Sequence, residues 1–324
     1  GDTMTSNQSR TAARGALLAM TLSVLTACGG GGGGGGPQTG QLSIAVTDSP
    51  IDAGITKVSV RFTGVEVKPE NGPSIRFDYA PGDERTIDLL QLQGEASSYL
   101  IIGEEVPAGR YLWARLHVEA EKDVYDSTVE YESGEVYPLY VPSGALSGLK
   151  LVSGFVVPAG GEADFVIDWN LARAVGAPPG QDPNRVLRPA LKITDRAESG
   201  VIRGTVPAGL IDSTNPDACA GGNRVYLFAR PEEGETAIDD MDELVDDGRA
   251  EVEATAGVSY SADRDAWEWV FGFVAPGAYT VAFTCSSTAD DSMVDDYPEV
   301  AGSEFDFAAR EDVTAEVAGD SAVA

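Results

Sequence analysis

Basic residues are scarce in this chain. Its 324 residues include 22 lysines and arginines against 52 aspartates and glutamates, which gives a formal net charge of −30. A surface this negative repels the phosphate backbone of nucleic acids, so we expect no nucleic-acid partner. For the same reason it attracts cations and basic proteins.

Histidine and cysteine are scarcer still, and this restricts the available chemistry. His117 is the single histidine, and the cysteines are Cys28, Cys219 and Cys285. Zinc sites and Ser–His–Asp triads depend on these residue types. The sequence also has no G-x-S-x-G elbow and no P-loop motif. We therefore predict a protein that is not an enzyme.

A long hydrophobic run is also missing, because no apolar stretch reaches the roughly 20 residues that a transmembrane helix needs. Residues 15–24 form a shorter apolar segment, which follows Arg10 and Arg14 and precedes Leu25-Thr26-Ala27-Cys28. This order resembles the bacterial lipoprotein signal. The alternative is a plain secretory signal with a chance cysteine.

The lipoprotein resemblance implies a processed and anchored chain. Residues 1–27, with Met4 as the start, would be removed, and Cys28 would be lipidated as the first residue of the mature protein. The membrane would then be a partner through the lipid anchor. Gly29 after the cysteine implies sorting to the outer membrane of the cell envelope, by analogy with Gram-negative lipoproteins. Residues 28–40 contain eight consecutive glycines and are predicted to be a flexible tether.

The rest of the sequence predicts an all-β protein of two β-sandwich domains (immunoglobulin-like or transthyretin-like) in tandem, over residues 41–198 and 199–324. Short runs of β-forming residues alternate with Gly, Pro, Asp and Asn turns. In the strand beginning near Lys57, the apolar phase slips after Thr63-Gly64, which predicts a β-bulge. A segment at residues 236–247 is predicted to be a short acidic helix or an ordered loop.

Further strands follow from the same alternation. They are predicted at residues 41–46, 135–141, 149–157, 162–168, 186–194, 201–206, 224–229, 266–274 and 278–285. In the last two, the side chains predicted to form the walls of the second core are Trp267, Trp269, Phe271 and Phe273 in one strand and Tyr279, Val281, Phe283 and Cys285 in the other.

Charge divides the two predicted domains. Residues 41–198 hold 24 acidic and 14 basic side chains, a net charge of −10, whereas residues 199–324 hold 27 acidic and six basic, a net charge of −21. The second domain contains no lysine. Export to an oxidising compartment favours a disulfide between Cys219 and Cys285, with two free cysteines as the alternative.

Five separated motifs of the first domain occur in a familiar order. They are LSIAVTDSP at 42–50, VSV and VEV at 58–60 and 65–67, IDLL at 87–90, VPAGRY at 106–111 and LRPAL at 187–191. This order resembles the bacterial lipoprotein family catalogued as domain of unknown function 4382. The resemblance covers residues 41–195 and implies a β-sandwich, with no reaction attached.

The second domain is similar to carboxypeptidase-regulatory, transthyretin-like modules. The motifs that carry the similarity are IRGTV at 202–206, VYLF at 225–228 and VAPGAYTV at 274–281. This resemblance implies an accessory or binding module, and the fold alone does not license a function.

Acidic clusters are the first candidate site. Asp48 and Asp52 follow the first strand and fit either turn chemistry or a Ca²⁺ site. Denser groups occur in the second domain, where they are either a solvated acidic surface or a Ca²⁺ site whose loops meet at one end of the sandwich. The residues are Asp239, Asp240, Asp242, Asp290, Asp291, Asp295 and Asp296.

An aromatic row is the second candidate site. Residues 110–120 alternate, so that Leu112, Ala114 and Leu116 are predicted to face the core. The opposite face is predicted to carry Tyr111, Trp113, Arg115 and His117. Such a row stacks sugar rings or docks a partner when it is exposed, and is structural when it is covered.

We therefore expect a membrane-anchored envelope lipoprotein that acts as a binding or structural module. Two alternatives remain open: a Ca²⁺-dependent adhesion or assembly protein, and a glycan-binding lipoprotein. The expected partner is a protein or a polysaccharide.

Overall fold

Strands dominate the computed structural model, which describes residues 38–51, 54–142, 148–177, 183–211, 219, 221–230, 237–242, 248–291, 294–298, 300 and 302–323. The predicted all-β fold is confirmed. The signal segment 1–27, Cys28, most of the glycine tether and Asp52 lie outside the described residues. None of the described helices is long and apolar enough to cross a membrane.

The first half of the chain contains fourteen described strands and one helical turn. They are β1 (Thr39–Ser49), β2 (Ile55–Pro69), β3 (Ile75–Asp78), β4 (Arg85–Asp88), β5 (Ser98–Pro107), β6 (Gly109–Glu119), β7 (Thr128–Tyr131), β8 (Val136–Tyr140), β9 (Leu149–Leu151), β10 (Phe155–Val157), β11 (Glu162–Asn170), α1 (Leu171–Ala174), β12 (Val175–Gly176), β13 (Arg185–Leu187) and β14 (Leu191–Asp195).

The second half contains eight described strands. They are β15 (Gly200–Val206), β16 (Arg224–Ala229), β17 (Val252–Gly257), β18 (Ser259–Ser261), β19 (Ala266–Val274), β20 (Gly277–Thr284), β21 (Ala309–Ala315) and β22 (Asp320–Val323). Short 3-10 turns occur at Leu89–Gln91, Arg196–Glu198 and Ser287–Ala289. Residues 237–242, inside the segment predicted to be an acidic helix or a loop, are not helical.

Four sheets are present in the described part of the chain. In the first half, a sheet of order β14-β11-β1-β5 faces a ten-stranded sheet that contains β10-β6-β2-β7-β8-β13-β12, and a shared apolar cluster fills the space between them. In the second half, the sheets β18-β19-β15-β22 and β17-β16-β20-β21 share another cluster. Alternating apolar side chains on each strand explain both layers, because one face of each sheet must be buried.

The predicted bulge in the long second strand is confirmed. The pairing of β2 with β6 shifts register between Phe62 and Gly64. Val60, Phe62, Val65 and Val67 are all fully buried although their parity changes. Gly64 fits because a Cβ there would lie 2.4 Å from the carbonyl oxygen of Phe77 on β3.

The two halves touch each other directly. Arg203 pairs with Glu95 at 3.1 Å, and the Thr255 hydroxyl donates to the carbonyl of Pro50 at 3.3 Å. Gly272 packs so closely on Gly94 that a Cβ would lie 2.3 Å from its carbonyl oxygen. Contacts therefore join Pro37–Ala324 into one unit, and the domain bounds 41–198 and 199–324 stay a prediction.

The predicted walls of the second core need one correction. Trp269, Phe271, Tyr279, Val281 and Phe283 are buried in the cluster as expected, and Trp267 and Cys285 pack against it. Phe273 leaves this face because its backbone turns to φ 54° next to a register shift in the pairing of β15 with β19. Its ring instead packs under the guanidinium of Arg196 at 4.7 Å, at the junction of the halves.

Candidate metal centre

Strand β16 carries apolar side chains on both faces, and this is what positions the candidate site. Val225 and Leu227 enter the core between the sheets, whereas Tyr226 and Phe228 point outward and are fully buried. An outward apolar face needs a cover. Two acidic segments, 237–242 and 287–307, supply it through the apolar side chains of Ile238, Met241 and Phe305.

The covering segments bring the predicted acidic residues together. One carboxylate oxygen from each of Asp239, Asp240, Asp242 and Asp295 lies within 4.8 Å of all the others. A second group of the same compactness joins Asp240 to Asp290 and Asp296. Asp291 belongs to neither group and is exposed.

Asp240 is the centre of this arrangement. It is 1% exposed, and its Oδ1 is buried without a hydrogen-bond partner. Its Oδ2 accepts a hydrogen bond from the backbone N–H of Asp296. Oδ1 of Asp295 is likewise buried and lacks a hydrogen-bond donor. Burying carboxylate oxygens without compensation costs several kcal/mol, so the site favours a positive charge among these oxygens.

The pKa of Asp240 indicates the same lack of nearby positive charge. Burial raises the pKa of Asp240 to about 7. The hydrogen bond from Asp296 opposes the rise, and the charges of Asp290, Asp239 and Asp242 add to it. A group in this position holds a proton near neutral pH unless a cation replaces it.

The second group is held mainly by hydrogen bonds from its own surroundings. Asp290 accepts from the Tyr226 hydroxyl at 2.5 Å and from the backbone N–H of Met241 at 3.1 Å. Oδ2 of Asp296 accepts from the backbone N–H of Asp291 at 3.0 Å. These hydrogen bonds already occupy oxygens of Asp290 and Asp296. The first group, around Asp240, is therefore the better candidate to bind an ion.

The donor set suits a hard cation. Ca²⁺ takes six to eight oxygen ligands, mostly carboxylates, carbonyls and waters. The first group supplies four carboxylates, and each can bind through one or two oxygens. Within the described residues of this cluster there is no sulfur or imidazole ligand that would favour a softer metal.

Asp48 does not join these clusters. It lies at the end of β1, is 4% exposed, and neither of its carboxylate oxygens accepts a hydrogen bond within the described part of the chain. The turn chemistry considered for this residue is therefore wrong, since it requires bonds from nearby backbone N–H groups.

Tyr111 does not lie on the face that the sequence predicted for the aromatic row. Tyr111 is fully buried and stacks on Phe155 at 5.0 Å, whereas Leu112 is exposed, the reverse of the prediction. The reason is a register shift in which Leu112 is an extra residue between the pairs Lys68–Trp113 and Pro69–Tyr111. Past this bulge the alternation resumes.

The other members of the row are tied to neighbours. The guanidinium of Arg115 and the ammonium of Lys150 each lie 4.8 Å from the ring centre of Trp113. His117 is 4% exposed, with its Nε2 3.0 Å from Oε2 of Glu66, and Arg115 donates to the same oxygen at 3.2 Å. Tyr111 and His117 are therefore structural.

The predicted disulfide is confirmed. Cys219 and Cys285 are bonded, with their Cα atoms 4.7 Å apart. Cys285 directly follows the last residue of β20, a few residues before Asp290. The bridge therefore restrains the start of one acidic segment.

Tyr226 and the backbone of Met241 are the parts of the site that the sequence did not identify. The only signal for them is the continuous apolar run of β16, which indicates that its outer face is covered. It does not indicate by which segment.

A comparison with family models finds one match, in the first half of the chain. The model of the family described as "Domain of unknown function (DUF4382)" matches residues 39–189. This confirms the resemblance of the first domain. The likeness of the second domain to carboxypeptidase-regulatory modules remains a proposal. No curated protein matches the chain.

Two solved structures show a distant likeness. One is a leucine-rich repeat protein from Bacteroides thetaiotaomicron VPI-5482, with 13% identity and a TM-score of 0.19, and the other is the Bacillus anthracis TIE protein, with 10% identity and a TM-score of 0.17. Each alignment covers 88% of this chain, but only 26% and 33% of those chains. The chain thus spans about a quarter to a third of their lengths, and scores this low carry no argument.

Proposed function

We propose that this protein is an envelope lipoprotein, held at the outer membrane through Cys28, whose second half is a Ca²⁺-dependent binding or assembly module. Its partner would be a protein or a polysaccharide, and no catalysis is assigned. The observation that carries the proposal is the buried, unpartnered Oδ1 of Asp240 at the meeting point of two acidic segments.

The physical role of the cation follows from the charges. Four carboxylates that share a buried site repel one another, and this repulsion opposes the closure of segment 237–242 on the segment that contains Asp295. A bound Ca²⁺ replaces that repulsion with attraction. It would fix both segments over β16 and give a partner a single, ordered surface to bind.

Thermal unfolding of the purified full chain in Ca²⁺ and in chelator tests this proposal. Ca²⁺ at 100 times its Kd should stabilise the protein by about 2.7 kcal/mol, because it binds only the folded state. Asp240→Asn should abolish that gain and should not destabilise the protein in chelator, since it removes an uncompensated buried charge. Asp263→Asn, an exposed carboxylate outside both groups, is the matched control and should keep the full gain. An unfolding temperature that is the same with Ca²⁺ and with chelator would sink the calcium role.

The anchor is tested separately by cell fractionation. Cys28→Ser should move the protein from the membrane fraction to the soluble fraction, because several acyl chains provide the attachment. If the variant stays with the membranes, lipidation is not the anchor, and the calcium result is unaffected.

A further inference from the structure

Three apolar side chains are exposed alongside strand β6 in the first half. Val156 of β10 is 61% exposed, Val152 after β9 is 73% exposed, and Leu112 in the bulge of β6 is 37% exposed. β2 pairs with one edge of β6, so β9 and β10 both pair with its other edge. The three side chains therefore belong to neighbouring segments. Single exposed apolar residues are common, whereas a group of them marks an interaction site.

Basic side chains accompany these apolar ones. Phe155 and Val157 enter the core, so Val156 between them projects outward, and Arg110 is its register partner on β6. Directly opposite residues of antiparallel strands project from the same face of a sheet. Lys150 of β9 is exposed and is paired in the same way with an outward residue of β6.

Trp113 lies among the cations of this face. The guanidinium of Arg115 and the ammonium of Lys150 are each 4.8 Å from its ring centre, and the ring is half-buried. Lys68 of β2 is its register partner on the other side. Tryptophan is enriched where proteins meet the headgroup layer of a membrane, because its ring is apolar and its N–H is polar.

The face is locally positive in a strongly negative chain. Residues 66–70, 110–115 and 150–156 contain four basic and two acidic side chains, a net charge of +2, whereas the whole chain has −30. Glu66 is contacted by Arg115 and His117, and the acid at position 70 follows Lys68. Charges more than about 8 Å apart are largely screened at physiological ionic strength. A surface that approaches this face therefore responds mainly to its own positive charge.

The chain enters the fold beside the same face. The carbonyl of Gln38 accepts from the N–H of Ala108, directly before β6, and the carbonyl of Thr39 accepts from the N–H of Gly160 in the turn after β10, each at 2.7 Å. The ten positions from Cys28 to Gln38 reach at most about 36 Å when fully extended. A lipid on Cys28 therefore keeps this end of β6 and β10 close to a bilayer.

We propose that residues 66–70, 110–115 and 150–156 form a docking face that lies against an anionic phospholipid surface. The basic side chains contact lipid phosphates, and the exposed apolar side chains enter the headgroup layer. This inference rests on the proposed lipid anchor at Cys28. The face alone binds weakly, but the tether holds it at a high effective concentration. The anchor keeps the protein at the membrane, and the docking face sets its orientation there.

Vesicle co-sedimentation tests the docking face without the anchor. The protein is the mature full chain with Cys28→Ser, in chelator and at physiological ionic strength, and the probes are vesicles of phosphatidylglycerol or of phosphatidylcholine. We expect it to partition onto phosphatidylglycerol and much less onto phosphatidylcholine. Lys150→Glu should lower the partition coefficient about 10-fold, because it reverses a charge at the lipid surface. Lys57→Glu makes the same change at the other end of β2 and should leave the coefficient nearly unchanged.

Val156→Asp is the second variant, in case Lys150→Glu does not fold. It should also lower the partition coefficient about 10-fold, since it removes an apolar contact and adds a negative charge. Val317→Asp, at an exposed valine of the second half, is its matched control. Equal binding to both kinds of vesicle, no binding to phosphatidylglycerol, or equal losses in a folded variant and its control would overturn the docking face. Fractionation of Cys28→Ser in cells reports on the anchor alone, so failure of the face and failure of the anchor are distinguishable.

Discussion

The two halves of the molecule both bury ionisable groups, but they neutralise them differently. In the first half, Glu66 lies between His117 and Arg115, at 3.0 and 3.2 Å, and its negative charge is balanced by protein donors. In the second half, Asp239, Asp240 and Asp242 are each no more than 3% exposed, and Oδ1 of Asp240 has no partner. Oδ1 of Asp240 therefore lacks a protein donor of the kind that balances Glu66, and in this it resembles the Asp48 carboxylate of the first half.

Composition explains this difference. Residues 199–324 contain six basic side chains, all arginine. Three of these arginines pair with acids outside the cluster: Arg203 with Asp320, Arg230 with Asp312 and Arg264 with Glu268. Such exposed pairs contribute little to stability, but they occupy cations that the buried aspartates would otherwise attract.

The largest expected effect concerns the covalent restraint that only the second half has among the described residues. Replacing Cys219 and Cys285 together by serine should lower the free energy of unfolding by about 4 kcal/mol, since the bridge closes a loop of 66 positions. Urea denaturation measures the loss. Cys28→Ser, which leaves the bridge intact, is the control and should unfold like the wild type. Equal urea midpoints for the wild type and both variants would show that the disulfide does not stabilise the second half.

A smaller effect should follow when the internal pairing of the first half is broken. Glu66→Gln removes the charge that Arg115 and His117 contact, and should lower the free energy of unfolding by about 1–3 kcal/mol. Glu70→Gln, an exposed carboxylate just after β2, should change it by no more than about 0.5 kcal/mol. If both variants are equally stable, the network does not compensate the buried charge.

The smallest effect is a pH dependence of the first half. Burial lowers the pKa of His117 from 6.5, and Arg76 and Arg115 lower it further, against the hydrogen bond to Glu66. A lowered histidine pKa gives stability that is present above pH 6.5 and is lost as pH falls toward the folded value. Unfolding measured at a series of pH values should show this loss in the wild type and not in His117→Gln. Parallel curves for the two proteins would contradict the assignment.

Much of the strand pattern followed from alternation alone. The strands at Arg224–Ala229 and Ala266–Val274 have the predicted bounds, and β15 begins one residue early. Local signals also placed the bulge, because Gly64 accompanies a visible slip of the apolar phase. Two stretches that were predicted as single strands, 149–157 and 186–194, each form two strands. Residues Val152–Gly154 and Arg188–Ala190 interrupt them because these residues are not in strand conformation.

The errors lie where register, rather than residue type, decides which face is buried. Leu112 and Tyr111 are both apolar enough for a core, so the sequence does not show that an extra residue of β6 exposes one and buries the other. Phe273 leaves its wall for a similar reason, because its positive φ depends on the bulge opposite Gly200. Irregular pairing is a property of two strands together.

The sequence by itself determined the all-β class, the resemblance of the first half to the family of domain of unknown function 4382, the disulfide pair and the concentration of acid in a lysine-free half. These depend on composition, local period and motif order, which need no distant contacts. Only the tertiary structure decided which aspartates meet. Asp240 and Asp295 are brought together because the outer apolar face of β16 must be covered. The candidate metal centre therefore depends on packing between segments that are far apart in the sequence.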